Sequence, residues 1–274
     1  NKMAYPIYYK GAWQDPDTVT VSIKDEGFLR GDGIFAFFRI MDGKPIFMSD
    51  HLDRFLSSAQ KMGIQHGYSK ADLADLIGQL AIVAKDSCLG VKLVLTGGDS
   101  LNGFEPMEGG SNLFIFPGVF SFANPMEGMH LISQKYHREM ADIKSLNYAF
   151  AIRYWAEVKS KGGNDLIYYT DELGVSESSR SNLFFVKSGI VYTPGQQILA
   201  GITRSHVMSL AAQEFEVRVG DYSLDDFLSA DEVFTTGSTK RVLPIFSIDG
   251  KQINGGQRGK ITAHLYDLLV KSEC

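Results

Sequence analysis

Residues 165–193, DLIYYTDELGVSESSRSNLFFVKSGIVYT, decide the fold. Three runs, Asp165 to Thr170, Leu183 to Lys187 and Ile190 to Thr193, surround the turn sequences Glu172-Leu173-Gly174 and Ser188-Gly189. Aromatic and β-branched side chains suit a pleated, half-buried surface, so the stretch predicts a β meander. On its N-terminal side, Ile143 to Lys159 carries Tyr148, Ile152 and Trp155 on one side and predicts a helix. On its C-terminal side, Gly201-Ile202-Thr203-Arg204 opens a second helix, with Val207, Leu210, Ala211 and Phe215 at helical spacing. Glu232 to Thr236 predicts a strand end running into Thr236-Gly237-Ser238-Thr239, and Ile248-Asp249-Gly250-Lys251 a hairpin turn.

The N-terminal half starts β-rich. Ile7-Tyr8-Tyr9 enters a tight turn at Lys10-Gly11, and Phe37 to Ile40, Asp42-Gly43 and Ile46-Phe47-Met48 read as a hairpin. Ser49 reads as the N-cap of a helix whose Leu52, Phe55, Leu56, Ala59 and Met62 share one face. A helix over Lys70 to Ala84 and strands at Val91 to Thr96 and Leu113 to Phe116 complete helices packed on a sheet. From Pro117 to Gly128 the text turns to Pro, Gly, Ser, Asn and Glu without periodicity, as a connector does. The expected organisation is α/β (α+β), with a small α/β domain over 1–118, a connector over 119–130 and a larger domain over 131–274.

The chain has 274 residues, enough for one large domain or two smaller ones at roughly 150 residues each. Hydrophobic residues at 44% and charged residues at 22% exclude disorder, and no run of 18 apolar residues offers a membrane span. A net charge of −5 without a basic stripe argues against nucleic acid. Cys88 and Cys274 lie far apart, with no CxxC pair and no Cys/His cluster, which excludes a disulfide scaffold and a metal centre and suits a reducing compartment. Asn1 to Tyr9 lack the basic-then-apolar pattern of a signal peptide, so the cytoplasm is expected.

Two segments of small residues, Gly201-Ile202-Thr203 and Thr236-Gly237-Ser238-Thr239, would present backbone amides and hydroxyls to a phosphate, or simply cap and turn the chain. Arg54, in His51-Leu52-Asp53-Arg54-Phe55, falls off the apolar stripe, facing a pocket or pairing with Asp50. Lys144, in Asp142-Ile143-Lys144-Ser145-Leu146-Asn147-Tyr148, stands at the head of the expected helix; it is a surface residue or, once deprotonated, a Schiff-base nucleophile. Glu177, in Val175-Ser176-Glu177-Ser178, reads equally as an ordinary loop carboxylate.

Taken in order, these segments resemble the class IV aminotransferases. These are the fold type IV pyridoxal-phosphate enzymes, which include branched-chain aminotransferase, D-amino-acid aminotransferase and aminodeoxychorismate lyase. The matches run from Gly27-Phe28-Leu29-Arg30-Gly31-Asp32-Gly33 through the Arg54, Lys144 and Glu177 to Asn182 segments to Gly201-Ile202-Thr203-Arg204 and Ala230-Asp231-Glu232-Val233-Phe234. The resemblance implies a two-domain enzyme with a β-barrel-like C-terminal domain, a homodimer, and pyridoxal 5'-phosphate held covalently by Lys144. It implies that Glu177 faces the pyridine nitrogen, that Tyr148 reaches the ring hydroxyl and that Leu199 packs on the ring. Phosphate contacts are implied for Arg54, Gly201, Ile202, Thr203, Ser238 and Thr239, and the substrate side for Phe35 and Thr239.

Departures from the family pattern bear on substrate. Arg30 stands where the resemblance implies a pocket wall contributed across a dimer; it meets a substrate carboxylate there, or Asp32 or Glu26 at the surface. Arg180 replaces a residue that is small in many relatives, and Lys92 and Lys240 are further cationic candidates. The loop Thr96-Gly97-Gly98-Asp99-Ser100-Leu101-Asn102-Gly103-Phe104 lacks the Arg-x-His carboxylate trap of D-amino-acid enzymes. The expected reaction is amino-group transfer between an amino acid, D-type ahead of branched-chain L-type, and a 2-oxo acid such as 2-oxoglutarate; the alternative is aminodeoxychorismate lyase, which releases pyruvate.

Overall fold

The computed structural model describes residues 5–84 and 88–273; Cys274 and the segment before Tyr5 lie outside them. The chain divides into two compact units, one running up to Ser121 and including Ile143–Asn147, the other comprising Phe122–Asp142 and the chain from Tyr148 on.

Among the described residues, the first unit holds β1 (Ile7–Tyr9), β2 (Ala12–Gln14), α1 (Glu26–Arg30), β3 (Gly33–Met41), β4 (Lys44–Pro45), α2 (Met48–Met62), α3 (Lys70–Val83), β5 (Cys88–Thr96) and β6 (Asn112–Val119). The strands form one antiparallel sheet in the order β2-β1-β6-β5-β3-β4. Period-two alternation makes its inner face: Ile34, Ala36, Phe38 and Ile40 of β3 lie opposite Leu95, Leu93, Val91 and Leu89 of β5. Leu52, Phe55 and Ala59 of α2 and Leu73, Ile77 and Leu80 of α3 join the same core.

The second unit contains β7 (Met129–Lys135), α4 (Ala149–Ser160), β8 (Asp165–Thr170), β9 (Gly174–Ser178), β10 (Asn182–Lys187), β11 (Ile190–Pro194), α5 (Ile202–Ala211), β12 (Val217–Gly220), α6 (Leu224–Leu228), β13 (Glu232–Gly237), β14 (Arg241–Ile248), β15 (Lys251–Gln252) and α7 (Lys260–Ser272). Its sheet runs β12-β11-β10-β13-β14-β7-β8-β9, with β15 paired to β14. The last strand in that order, β9, passes through a short turn straight into β10, so the sheet curls into a half-barrel. Leu131, Ile167, Leu183, Phe185, Val233 and Leu243 fill its core.

Four two-residue turns, Lys10-Gly11, Asp42-Gly43, Ser188-Gly189 and Asp249-Gly250, have both residues at positive φ. That conformation matches the right-handed twist of the strands they join. Two local expectations change. Met48 starts α2 instead of ending a strand, so Phe47, not Ser49, is the N-cap, and Ser49 Oγ accepts from Lys70 Nζ at 2.8 Å. The helix expected from Ile143 begins only at Ala149, because Ile143–Asn147 is recruited by β3: Phe35 N donates to Lys144 O, and Leu146 N to Gly33 O, both at 2.9 Å. Tertiary pairing here overrides local helical periodicity.

Candidate active site

Lys144 therefore sits on an extended segment, and its backbone is fixed on both sides. Ser145 bridges Ile34, and Lys144 N lies 3.4 Å from the Ser58 hydroxyl on α2. Gly33 eases the approach, since a Cβ there would stand 2.6 Å from Leu146 Cδ1 and 3.0 Å from Leu95 O. Gly31, at φ 74°, ends α1 just before it. The Lys144 ammonium lies 4.3 Å from the Phe35 ring centroid, and that of Lys92 is 5.2 Å from the same ring. Arg54 is half-buried on α2, beside the stripe formed by His51, Leu52 and Phe55.

In the second unit the centre is Glu177, on β9 and 4% exposed. One carboxylate oxygen accepts from Arg138 Nε at 3.0 Å; the other accepts from Leu199 N at 3.0 Å and faces Asn182 Nδ2 at 3.5 Å. Arg138 and Asn182 are themselves buried. Periodicity could not find Arg138, a single arginine in a stretch without secondary structure. Asn182 stood inside the motif that carried Glu177, with no role attached.

Asn182 also connects the two small-residue segments. Its Nδ2 donates to Leu199 O at 2.9 Å, its backbone lies in register with Thr236, and a Cβ on Gly201 would stand 2.0 Å from its Oδ1. Gly201 is the N-cap of α5 and brings no side chain to cap that helix. The first-turn amides of Ile202 and Thr203 thus lack intrahelical acceptors and carry the positive end of the dipole. Arg204 fixes this turn by donating to Pro194 O at 2.9 Å. Next to Asn182, Thr236 Oγ1 is buried without a hydrogen-bond partner among the described residues, and Ser238 and Thr239 follow in the β13–β14 turn. Tyr148, half-buried, is the N-cap of α4.

The cationic candidates differ in their commitments. Arg30, with a side chain 53% exposed, donates from Nε to Gly103 O at 2.7 Å, stacks on Phe104 and pairs with Glu26 at 3.3 Å, one of the two surface partners its position suggested. Arg180, equally exposed, lies over Trp155 and 3.8 Å from Asp165, and makes no hydrogen bond among the described residues. Lys240 is turned inward on Asp165 at 3.5 Å and Ser181 Oγ at 2.9 Å. Burial pushes its amine below the ordinary lysine range, Asp165 opposes that, and Arg180 adds to it.

Residues 33–248 match the family described as amino-transferase class IV. The chain belongs to the class IV aminotransferases. A Methanocaldococcus jannaschii relative, provisionally named a branched-chain-amino-acid aminotransferase, is 33% identical over 94% of this chain and 93% of its own. D-alanine aminotransferase of Listeria monocytogenes is 32% identical over 93% and 91%. Among solved structures, a Legionella pneumophila protein provisionally named a 4-amino-4-deoxychorismate lyase superposes with a TM-score of 0.86 at 28% identity, covering 94% of this chain and 97% of that one.

Class IV aminotransferases use pyridoxal phosphate, and this aminotransferase has groups suited to it. A helix N-terminus tied through Asn182 to the strand that runs into Ser238 and Thr239 suits a phosphate monoester, and a buried carboxylate anchored by three donors suits a ring nitrogen. No helix among the described residues is long and apolar enough to cross a membrane, and no described group of His, Cys, Asp or Glu could hold a metal ion.

Proposed function

We propose that this transaminase moves an amino group between a D-amino acid and 2-oxoglutarate. The observation that carries the substrate reading is Arg180, a half-exposed guanidinium with hydrogen-bonding capacity unspent on the protein. When bound, pyridoxal phosphate supplies a carbonyl carbon that holds the amino group in transit and a ring that takes up the electron pair left when Cα loses its proton. Lys144 binds the cofactor and moves the proton at the substrate Cα. Glu177 holds the pyridine nitrogen protonated, with Leu199 against the ring and Tyr148 at its hydroxyl. Arg54, the Ile202 and Thr203 amides, Ser238 and Thr239 bind the phosphate.

Branched-chain L-amino acids are the second reading, favoured by the name of the archaeal relative. One experiment separates the two: individual L- and D-amino acids are added to the purified protein, and the visible cofactor band is followed as it converts to the pyridoxamine form. Conversion by D-amino acids alone supports the proposal, and conversion by leucine, isoleucine or valine alone overturns it. Pyruvate release from aminodeoxychorismate without transamination would assign the lyase reaction instead. In the same assay, Arg180→Ala should weaken 2-oxoglutarate by about 10- to 150-fold, the size of one charged hydrogen bond of 1.5–3 kcal/mol, and an apolar 2-oxo acid far less. Equal losses for both acids would leave Arg180 holding only the shared α-carboxylate.

The protein is proposed to act in the cytoplasm as a homodimer. Arg30 supports the dimer through its surroundings: Phe28, Leu29, Leu101 and Phe104 expose large apolar surfaces on the same unit. If Arg30 serves the partner's site, mixing Lys144→Ala chains with Arg30→Ala chains should restore activity, because each heterodimer regains one site with both residues. No recovery, with heterodimers shown to form, would place Arg30 in its own chain's site, and Arg30→Ala chains active by themselves would place it at the surface.

A further inference from the structure

Asp165, the first residue of β8, is 1% exposed, and none of the roles above uses it. Its Oδ1 accepts from its neighbour Leu166 N at 2.8 Å and from the Ser179 hydroxyl. Its Oδ2 faces Lys240 Nζ at 3.5 Å and Arg180 at 3.8 Å. The Lys240 side chain is only 12% exposed, and its ammonium also donates to Ser181 Oγ at 2.9 Å, which in turn shares a hydrogen bond with Ser178 Oγ at 2.8 Å. A single buried carboxylate is thus tied to two turns. One, residues 178–181, follows directly on Glu177 and carries Arg180. The other, residues 237–240, carries Ser238 and Thr239 and is closed by Lys240 N donating to Gly237 O at 3.0 Å.

An ammonium and a carboxylate taken this far out of water rarely improve on well-packed apolar residues as stabilisers. What they do supply is direction, since the charge fixes which way each turn faces. We propose that Asp165 is a positioning residue, with Lys240 as its tether, that sets the Ser238–Thr239 turn for the cofactor phosphate and holds Arg180 at the substrate side. The lysine that sequence alone offered as a substrate ligand is on this view internal scaffolding. The inference rests on the reading of Ser238 and Thr239 as phosphate ligands.

The test uses the full chain freed of cofactor, with inorganic phosphate and pyridoxamine phosphate as non-covalent probes. Asp165→Asn, Lys240→Met and the double variant should each bind both probes about tenfold more weakly, the effect of one lost hydrogen bond's worth of positioning. Thermal stability should behave differently. Asp165→Asn leaves a buried ammonium without its anion and should melt lower, whereas the double variant removes that ammonium and should recover. A merely structural Asp165 predicts that affinity recovers together with stability in the double variant, and that result would overturn the proposal. Unchanged affinity in Lys240→Met, which leaves Asp165 with its other donors, would overturn it even if Asp165→Asn does not fold. Ser238→Ala with Thr239→Ala separates the two levels. If that pair binds phosphate normally, the phosphate reading itself fails and the inference falls with it; if the pair weakens binding while the Asp165 and Lys240 variants do not, the inference alone fails.

Discussion

Lys144→Ala should abolish transamination, a loss of about 10⁴-fold or more once the group proposed to move the Cα proton is gone, and the chain should still fold. Folding survives because the backbone at 144, not the side chain, does the structural work. Its carbonyl accepts from Phe35 N and its amide faces Ser58, and alanine keeps both. The side chain contributes an ammonium 4.3 Å from the Phe35 ring, a contact of roughly 0.5–1 kcal/mol at a partly exposed site. Borohydride reduction of the parent protein should then fix a pyridoxyl label on the peptide containing Lys144. Label on Lys92, whose ammonium is 5.2 Å from the same ring, would refute the assignment outright.

Glu177→Gln should slow exchange of the substrate Cα proton on the order of 10²-fold, the scale of losing one preorganised electrostatic partner, while phosphate anchoring changes little. It should also cost stability. Arg138, buried against Glu177 at 3.0 Å, would lose its anion, and breaking such a pair from one side costs about 3–5 kcal/mol. Glutamine's amide nitrogen would meanwhile face either the Arg138 or the Leu199 donor. Adding Arg138→Met should return much of the stability, measured by urea unfolding, and none of the exchange rate. Exchange as fast in the single variant as in the parent would remove Glu177 from the chemistry.

Local signals carried most of the fold. The Lys10-Gly11, Asp42-Gly43, Ser188-Gly189 and Asp249-Gly250 turns are legible because a two-residue connection at positive φ demands such residues. Three strands of the 165–193 meander, β8, β10 and β11, are legible because their aromatic and β-branched runs have no competing period, whereas β9, which carries Glu177, is not, since its Gly and Ser residues read as a loop. Residues 143–147 were not legible, since Tyr148, Ile152 and Trp155 set a helical spacing with no stop signal before it and only pairing with Gly33–Phe35 draws the segment out of the helix. Of the candidate site, ordered motifs named Lys144, Glu177 and the Gly201–Thr203 turn. Arg138 and Asp165 escaped because a buried ion pair is written in two distant single letters, and nothing local marks either one.

The return of residues 143–147 to the first unit also sets an order of events during synthesis. When the ribosome has released the chain only as far as Ser121, Phe35 N and Gly33 O lack their native partners, since the segment that pairs with them has not been made. Residues 122–142 must emerge first, and the entropy of closing that excursion grows only slowly with its length. Lys144 therefore lies in the last piece of chain supplied to its own unit. A chain ending before Ile143 would carry β3 without the segment that pairs with Gly33 and Phe35.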